Sequence, residues 1–339
     1  MKATEFIFGT GLNGKPVPAA TLTNENGTEL TVIGYGASIQ RLRVRAKDGV
    51  LYDTVLGYDT LAEYETNPGH FGAVPGRFAN RIADASFTLN GKEYTLDKND
   101  GANSLHGGSM GYSHRYWDVK AAGNAIVCSL FSPDGDGGYP GNANITATYT
   151  LTEDDALTIA YDAESDADTL MNLTNHAYFN LNGGGTVEDH LLWLNADAFL
   201  EATPAAIPTG KLIPVEGTPF DFREAKPIGR DMADPYTQMQ QFGGYDHNFC
   251  LSGSKAAVLT GDKSGLTMTV ETDMPGMQVY TANSVRGRKG FGGAVYDRHG
   301  AVCLETQIYP DAIHQPSFPS CVLKANTPWH SETKFTFTR

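Results

Sequence analysis

Positively charged residues are scarce in this chain of 339 residues. Asp and Glu number 39 against 25 Lys and Arg, so the formal net charge is −14 at pH 7 with histidine neutral. That charge disfavours nucleic acid and anionic membrane as the main partner, because both repel an acidic surface. It also disfavours a highly phosphorylated substrate.

Long hydrophobic runs are missing as well. No apolar stretch approaches the ~18 residues that a membrane-spanning helix needs. The N-terminal segment MKATEFIFGTG has an apolar run of only Phe6–Phe8 with Glu5 before it, so it lacks the hydrophobic region of a signal peptide. We therefore expect a cytoplasmic protein with no signal peptide and no membrane partner.

Cysteines are few and lie far apart in the chain, in apolar, strand-like contexts: Cys128, Cys250, Cys303 and Cys321. A zinc site would need closely spaced Cys or His pairs, and the sequence has none. We expect four reduced thiols in the core of an intracellular protein, and no metal.

Common cofactor motifs are absent or incomplete. The glycines of GTGLNG (Gly9–Gly14) match a dinucleotide fingerprint, but Pro16 and Pro18 follow where a helix should begin. The segment DGDGGYPG (Asp134–Gly141) begins like a calcium loop and then lacks the later ligands. No phosphate-binding loop and no G-x-S-x-G motif occurs. We expect no cofactor.

Alternating apolar and polar residues, separated by turn residues, dominate what is present. Thr21–Ile33 and Ser86–Leu96 each contain an Asn-Gly pair between alternating runs, which predicts two β-hairpins. Ile145–Leu151 and Ala156–Ala163 predict a third strand pair. Asp59–Glu65 predicts one or two helical turns, with Asp59 or Thr60 as the cap.

The same pattern recurs toward the C-terminus, and convincing helical periodicity is rare. We predict an all-β fold, a large antiparallel β-sandwich with few short helices, formed by a single domain over residues 1–339. The Pro-rich segment Asp197–Arg230 is expected to be a long ordered excursion packed on the sheets.

Two titratable residues lie in short, strand-like runs. His176 stands in NLTNHAYFNLN (Asn172–Asn182), and Glu305 is the carboxylate of VCLETQ (Val302–Gln307). Histidine and glutamate are readily tuned as an acid–base pair near neutral pH.

Other polar residues near strand ends are individually ambiguous. The motif GRFANRI, with Arg77 and Arg81 beside Asn80, fits a solvated basic turn or an ion pair within the fold, or else Asn80 and Arg81 donate to sugar hydroxyls. His106 precedes a Gly-Gly pair that would let backbone approach a ligand. Asp246-His247 fits a simple turn or a site rim, and Gln278 fits a strand cap or a ligand contact. Together these groups suit a polyhydroxylated, neutral ligand.

Seven motifs together resemble those of the aldose 1-epimerase (galactose mutarotase) family in order and spacing. They run from about Gly76 to Asp311, with weaker similarity in the N-terminal strands: GRFANRI, NSLHGG, DGDGGYPG, NLTNHAYFNL, YDHNF, PGMQVYT and LETQ. The H-x-Y-F-N-L and L-E-T-Q elements with an upstream L-H-G-G are specific as a set.

The resemblance implies a β-sandwich with an open cleft and a cofactor-independent isomerase that interconverts the anomers of free aldohexoses. It implies that His176 is the general acid and Glu305 the general base. It further implies that six residues contact the sugar: Asn80, Arg81, His106, Tyr178, Asp246 and Gln278. The partner is then a monosaccharide, and the protein a monomer or homodimer.

One position departs from the family pattern, and other functions stay open. The family often has Asn where PDAIHQP (Pro310–Pro316) carries His314, which affects substrate preference only if that position reaches the sugar.

An epimerase of a hexose phosphate could recruit Arg77, Arg81 and Arg286–Lys289. A non-catalytic sugar-binding module would leave His176 and Glu305 without a role. A glycoside hydrolase would need two carboxylates, such as Asp246 with Glu305.

Overall fold

A computed structural model of the chain describes residues 1–66 and 69–339. Strands dominate, and the described residues contain two short α-helices, α1 (Leu61–Glu65) and α2 (Thr237–Phe242). Helix α1 begins after Thr60, whose side chain accepts from the Glu63 backbone N–H while Glu63 bonds back, so the predicted helix and cap are confirmed. Neither described helix is long and apolar enough to cross a membrane.

The strands are numbered in chain order. In the first half of the chain they are β1 (Lys2–Thr10), β2 (Pro16–Thr23), β3 (Glu29–Ile33), β4 (Ser38–Arg45), β5 (Leu51–Asp53), β6 (Arg81–Ile82), β7 (Ser86–Leu89), β8 (Lys92–Thr95), β9 (Ser104–Leu105), β10 (Asp118–Ala122), β11 (Ala125–Ser132), β12 (Ala143–Leu151), β13 (Ala156–Ser165) and β14 (Thr169–Leu170). In the second half they are β15 (Tyr178–Phe179), β16 (Leu191–Leu194), β17 (Ala196–Ala202), β18 (Pro208–Pro214), β19 (Lys226–Pro227), β20 (Asp246–Leu251), β21 (Lys255–Thr260), β22 (Thr267–Thr272), β23 (Gly276–Tyr280), β24 (Arg288–Lys289), β25 (Val295–Tyr296), β26 (Val302–Gln307), β27 (Val322–Leu323) and β28 (Trp329–Thr338).

Three antiparallel sheets make up most of the fold. A five-stranded sheet has the order β1-β2-β3-β4-β5, and a nine-stranded sheet has the order β10-β11-β12-β13-β28-β22-β21-β16-β19. A six-stranded sheet, β15-β26-β23-β20-β17-β18, carries the cleft described below. The prediction of an all-β antiparallel sandwich with few short helices is confirmed.

Side chains that alternate along the strands build the hydrophobic core. In β12 every second side chain is buried, including Ile145, Ala147 and Tyr149, as a half-buried antiparallel strand requires. One cluster joins side chains of all three sheets, for example Val32, Ile145 and Leu304. The three predicted strand pairs are confirmed: β2 with β3, β7 with β8, and β12 with β13.

The segment Asp197–Arg230, expected to be a long ordered excursion packed on the sheets, instead contributes strands to the sheets themselves. Strand β17 begins at Ala196, and β18 pairs with it to form the edge of the six-stranded sheet. Proline removes a backbone donor, but an edge strand has one side without ladder partners, so Pro208 and Pro214 are tolerated there.

The sequence left the role of Arg77 open. In the structure this residue supports the fold and does not belong to a binding surface. Its side chain is 1% exposed. The guanidinium donates to Tyr112 Oη at 3.1 Å, Pro140 O at 2.7 Å, Gly141 O at 3.0 Å, Thr169 Oγ1 at 3.1 Å and Ser132 Oγ at 2.7 Å. It holds the DGDGGYPG loop and cannot join a phosphate site.

Replacing Arg77 by Lys should therefore destabilise the protein. A lysine has no planar fork and would leave several of these buried acceptors unpaired, so the free energy of unfolding should fall by about 3 kcal/mol. Urea denaturation measures the change. Arg223→Lys, at an exposed arginine, is the control and should stay within about 0.5 kcal/mol of wild type. Equal stability of the two variants would contradict the structural role of Arg77.

Candidate active site

Three neighbouring strands place the polar residues of the C-terminal motifs side by side. Strand β23 lies between β20 and β26, and the register sets Gln278 opposite both Asn248 and Glu305. Gln278 Nε2 donates to Asp246 Oδ1 at 2.7 Å. Cross-strand neighbours lie about 5 Å apart, so the motifs YDHNF, PGMQVYT and LETQ meet on one face of the sheet.

Strand β26 is buried along its whole length, although its last three residues, Glu305, Thr306 and Gln307, are polar. Val302 and Leu304 belong to the main core, whereas Glu305 lines a cleft on the other face of the sheet. Successive side chains of a strand point to opposite faces, so the alternation turns the carboxyl group of Glu305 away from the core that contains Leu304. Glu305 is only 2% exposed.

A short ladder between β6 and β9 joins GRFANRI to NSLHGG. Arg81 pairs with Leu105 in register, and Asn80 and His106 stand just outside the ladder with left-handed backbones at φ +66° and +53°. The His106 N–H donates to Asn80 O, and the Asn80 N–H donates to His106 Nδ1, both at 3.0 Å. These two bonds fix the imidazole of His106 and assign its lone pair to Nδ1.

The glycines after His106 have a different role from the one expected. A Cβ on Gly107, where φ is +84°, would lie 1.9 Å from the carbonyl oxygen of Gly76. The close approach at Gly107 is therefore between two backbone segments of the fold rather than between backbone and ligand.

The segment that carries His176 is held by backbone bonds to the turn at residues 70–73. The His176 N–H donates to Ala73 O at 2.8 Å, and the Gly72 N–H donates to His176 O at 2.9 Å. The imidazole stacks on Tyr178, with ring centroids 5.0 Å apart and planes 14° apart. Its Nε2 lies 3.8 Å from Glu305 Oε1.

All eight residues predicted from the sequence line one cleft of about 560 Å³. They are His176, Glu305, Asn80, Arg81, His106, Tyr178, Asp246 and Gln278. That volume lies within the range of small-molecule sites. Arg81 reaches the cleft with its Nε bonded to Asp100 Oδ2 at 2.7 Å, so an ion pair orients its guanidinium.

Other residues of the cleft were missed by sequence reasoning. His70 is the most notable, because its ring lies 4.9 Å from that of His106 and 5.9 Å from that of His176. Its Nδ1 lies 2.8 Å from Ser113 Oγ. Asn80 and Arg81 were found through their motif, whereas His70 stands alone before Phe-Gly and offered no comparable signal. Tyr280, Asn283 and Arg286 also line the cleft.

Burial shifts the pKa values of Glu305 and His176 in opposite directions. It raises the pKa of Glu305 well above its usual value, and the nearby Asp246 adds to the shift while Arg81 opposes it. Burial lowers the pKa of His176 to about 4. Burial therefore disfavours the charged form of each group, and it favours the state of the pair in which Glu305 is protonated and His176 is neutral.

Two buried acceptors of the cleft have no hydrogen-bond partner within the described residues. They are Glu305 Oε2 and Gln278 Oε1. A buried acceptor without a donor costs about 1–3 kcal/mol, so a ligand rich in hydroxyl donors would relieve both. Arg81 and His106 supply donors for the oxygens of the same ligand, because Nδ1 of a neutral His106 accepts and its proton must be on Nε2.

His106, His176 and Glu305 also approach one another as metal ligands would, with one candidate ligand atom of each within 4.8 Å of the others. A metal-binding histidine donates its second ring N–H to a neighbouring acceptor. His106 cannot do so, because its Nδ1 already accepts the Asn80 N–H and its Nε2 carries the proton. The three residues therefore do not fit a metal.

Two histidines near the motifs lie outside the cleft. His314, the departure from the family pattern, has its Nδ1 2.7 Å from Asp311 Oδ1, and Asp311 in turn accepts from the Ala83 N–H and donates to Arg81 O. It braces the segment after Arg81 and does not line the cleft. His247 points into the core, where it packs on Phe220 and contacts Gln238.

Comparison with known proteins shows the family of the chain. The model of the family described as aldose 1-epimerase matches residues 18–336. Galactose mutarotase of Sus scrofa is 41% identical over 344 residues, with 99% of each chain covered, and that of Bos taurus is 42% identical with the same coverage. The crystal structure of an aldose epimerase homologue from C. elegans superposes with a TM-score of 0.89 at 32% identity, covering 94% of this chain and 98% of the other. The chain belongs to the aldose 1-epimerase family.

The buried histidines predict how stability depends on pH. Burial lowers the pKa of His247 to about 3, against about 6.5 in the unfolded chain. Between pH 6.5 and 4 the unfolded state binds a proton there that the folded state does not, so stability is fully present above pH 6.5 and falls as the pH is lowered. The slope contributed by this residue is about 1.4 kcal/mol per pH unit.

His247→Gln should remove that contribution. Urea denaturation at several values between pH 6.5 and 4.5 measures both slopes, and that of the variant should be shallower by about 1.4 kcal/mol per unit. The opposing contribution of Glu305 is common to both proteins and cancels. Parallel lines would show that His247 titrates normally in the folded state.

Proposed function

We propose that this protein interconverts the α and β anomers of free aldohexoses such as galactose and glucose, by opening and closing the sugar ring. The relatives named galactose mutarotase match almost the whole chain at about 40% identity. The observation that carries the proposal is the approach of His176 Nε2 to Glu305 Oε1, 3.8 Å apart in a cleft with unpartnered acceptors.

Opening a cyclic hemiacetal requires two proton transfers at different oxygens. The anomeric hydroxyl must lose a proton while the ring oxygen gains one, and water at neutral pH does neither quickly. A positioned acid or base typically accelerates such a step by ~10²–10⁴-fold. A pair that holds a single proton between two groups of opposed pKa shifts can act at both oxygens without changing its total charge.

We assign the base to Glu305 and the acid to His176. Sugar hydroxyls that donate to Glu305 stabilise its ionised form, which favours transfer of the shared proton to His176. Glu305 then takes the anomeric proton, and His176 Nε2 protonates the ring oxygen. The open-chain aldehyde rotates about its C1–C2 bond, and the ring closes on the other face with the two roles reversed.

The remaining cleft residues hold the sugar in this proposal. Asp246 and Gln278 bind hydroxyl groups through their carboxylate and amide, and Asn80 provides a second amide. Arg81 and the Nε2–H of His106 donate to sugar oxygens and to negative charge that develops on them. Tyr178 stacks on His176 and keeps its ring in place. No oxidation state changes, and no step calls for a cofactor.

Three further properties are proposals of the same kind. A single domain is supported by one core cluster that extends from Ala20 to Phe337. The substrate is a monosaccharide, as for a sugar-converting family, and a state of monomer or homodimer is compatible with a cleft whose acid–base pair and sugar contacts come from one chain. The cytoplasmic location rests on the N-terminal sequence and stays a prediction.

The test is the decay of optical rotation of freshly dissolved α-galactose. Wild-type protein should speed the decay to the same final rotation. Glu305→Gln and His176→Asn should each lower kcat by about 10²–10⁴-fold, because each removes one of the two proton transfers.

Matched substitutions at exposed positions serve as controls. Glu271→Gln on β22 and His330→Asn on β28 change the same side chains far from the cleft, and both should keep wild-type kcat. A wild-type rate in either cleft variant, from a protein with an unchanged circular dichroism spectrum, would contradict the assigned roles. No acceleration by wild type with either galactose or glucose would contradict the function itself.

A further inference from the structure

One strand contacts both nitrogens of the His176 imidazole. Cys303 and Glu305 are two residues apart on β26, so their side chains point to the same face. Cys303 Sγ lies 3.5 Å from His176 Nδ1, and Glu305 Oε1 lies 3.8 Å from His176 Nε2. The ring is therefore placed between a thiol on its Nδ1 side and the carboxyl group on its Nε2 side.

Cys303 stands behind the imidazole rather than in the cleft. It is fully buried and is not among the residues that line the cleft, whereas His176 and Glu305 both are. It pairs in register with Tyr178 on one side and Tyr280 on the other. Two backbone ladders thus fix its position, and Tyr178 is the residue on which the His176 ring stacks.

The position of the second ring proton decides whether Nε2 can do chemistry. A histidine that gives a proton from Nε2 must keep a proton on Nδ1, because neutral imidazole carries one N–H in total. The group next to Nδ1 sets which nitrogen bears that proton. A sulfur is a weak acceptor, and at 3.5 Å from Nδ1 the sulfur of Cys303 can take the Nδ1–H.

We propose that Cys303 is a positioning residue for His176: its sulfur accepts the Nδ1–H and keeps Nε2 as the nitrogen that exchanges protons with Glu305 and the sugar. The inference rests on the proposed function for its catalytic consequence, but the tautomer itself does not. Cys303 neither touches the sugar nor changes its own covalent state.

Burial of the thiol is consistent with this role. It raises the pKa of Cys303 well above its ordinary value, with Glu305 and Asp246 adding to the shift. The sulfur therefore stays a neutral thiol. A thiolate would form an ion pair with protonated His176 and hold the proton on the ring, whereas a neutral thiol orients the ring and leaves its proton free to move.

The wild-type protein provides the first test. Long-range ¹H–¹⁵N spectra of ¹⁵N-histidine-labelled protein at pH 7 distinguish the two tautomers, and the His176 signals are assigned by their loss in His176→Asn. We expect the Nδ1–H form to dominate. A dominant Nε2–H form would overturn the proposal, whatever the activity of the enzyme.

Variants of Cys303 test the consequence for turnover. Cys303→Ala removes the acceptor and should lower kcat for galactose about 10-fold, a fraction of what an acid–base group contributes, with KM within about 2-fold. Its His176 spectrum should shift toward the Nε2–H form. Cys303→Ser restores an acceptor and should recover most of the lost kcat.

Cys128→Ala is the matched control, because Cys128 is also fully buried but lies on β11 in the main core. It tests for the loss of a buried sulfur as such, and thermal melting compares its stability with that of Cys303→Ala. An equal loss of kcat in Cys128→Ala, or an unchanged tautomer and kcat in Cys303→Ala, would refute the positioning role. Failure of wild type to mutarotate would refute the proposed function and leave the spectrum as the test of the tautomer.

Discussion

The buried pair of Glu305 and His176 is the constraint on which the rest of the cleft depends. A carboxyl group that is 2% exposed with one oxygen unpartnered is costly to keep ionised, and a buried imidazole is costly to keep protonated. One proton on Glu305 leaves both groups neutral. Because the two groups lie 3.8 Å apart, that proton can pass to His176. The same arrangement makes the proton mobile, since a small change in the surroundings of either group moves it.

The fold secures this pair from two sides. Strand β26 delivers Glu305 from the interior of the six-stranded sheet, where neighbouring strands fix its position. His176 comes from a segment without regular ladder bonds, and the turn at residues 70–73 holds that segment through backbone bonds in both directions. The reacting groups are therefore set by main-chain geometry, and their side chains need little reorganisation when a sugar binds.

Much of this could be predicted from the sequence, because its patterns are local. Asn-Gly pairs between alternating runs predicted the hairpins at Thr21–Ile33 and Ser86–Leu96, and the motifs predicted eight residues that line one cleft.

The role of β18 as an edge strand was missed, since tolerance of Pro208 and Pro214 depends on the neighbours of the strand. His70 was missed because only the tertiary turn brings it next to His106 and His176. The motifs gave Arg81 a place in the cleft and left the role of Arg77 open, and only the burial of Arg77 in the folded chain shows that it is structural.

The central claim is that a proton reaches the ring oxygen, so that the ring opens while the anomeric oxygen stays attached to C1. The most direct test uses α-galactose labelled with ¹⁸O at the anomeric hydroxyl, in unlabelled water with the wild-type protein. Mass spectrometry and optical rotation are followed together. The account predicts that rotation reaches equilibrium while the label is retained. Loss of the label at the rate at which rotation changes would mean that the exocyclic bond breaks instead, which would contradict the roles given to His176 and Glu305.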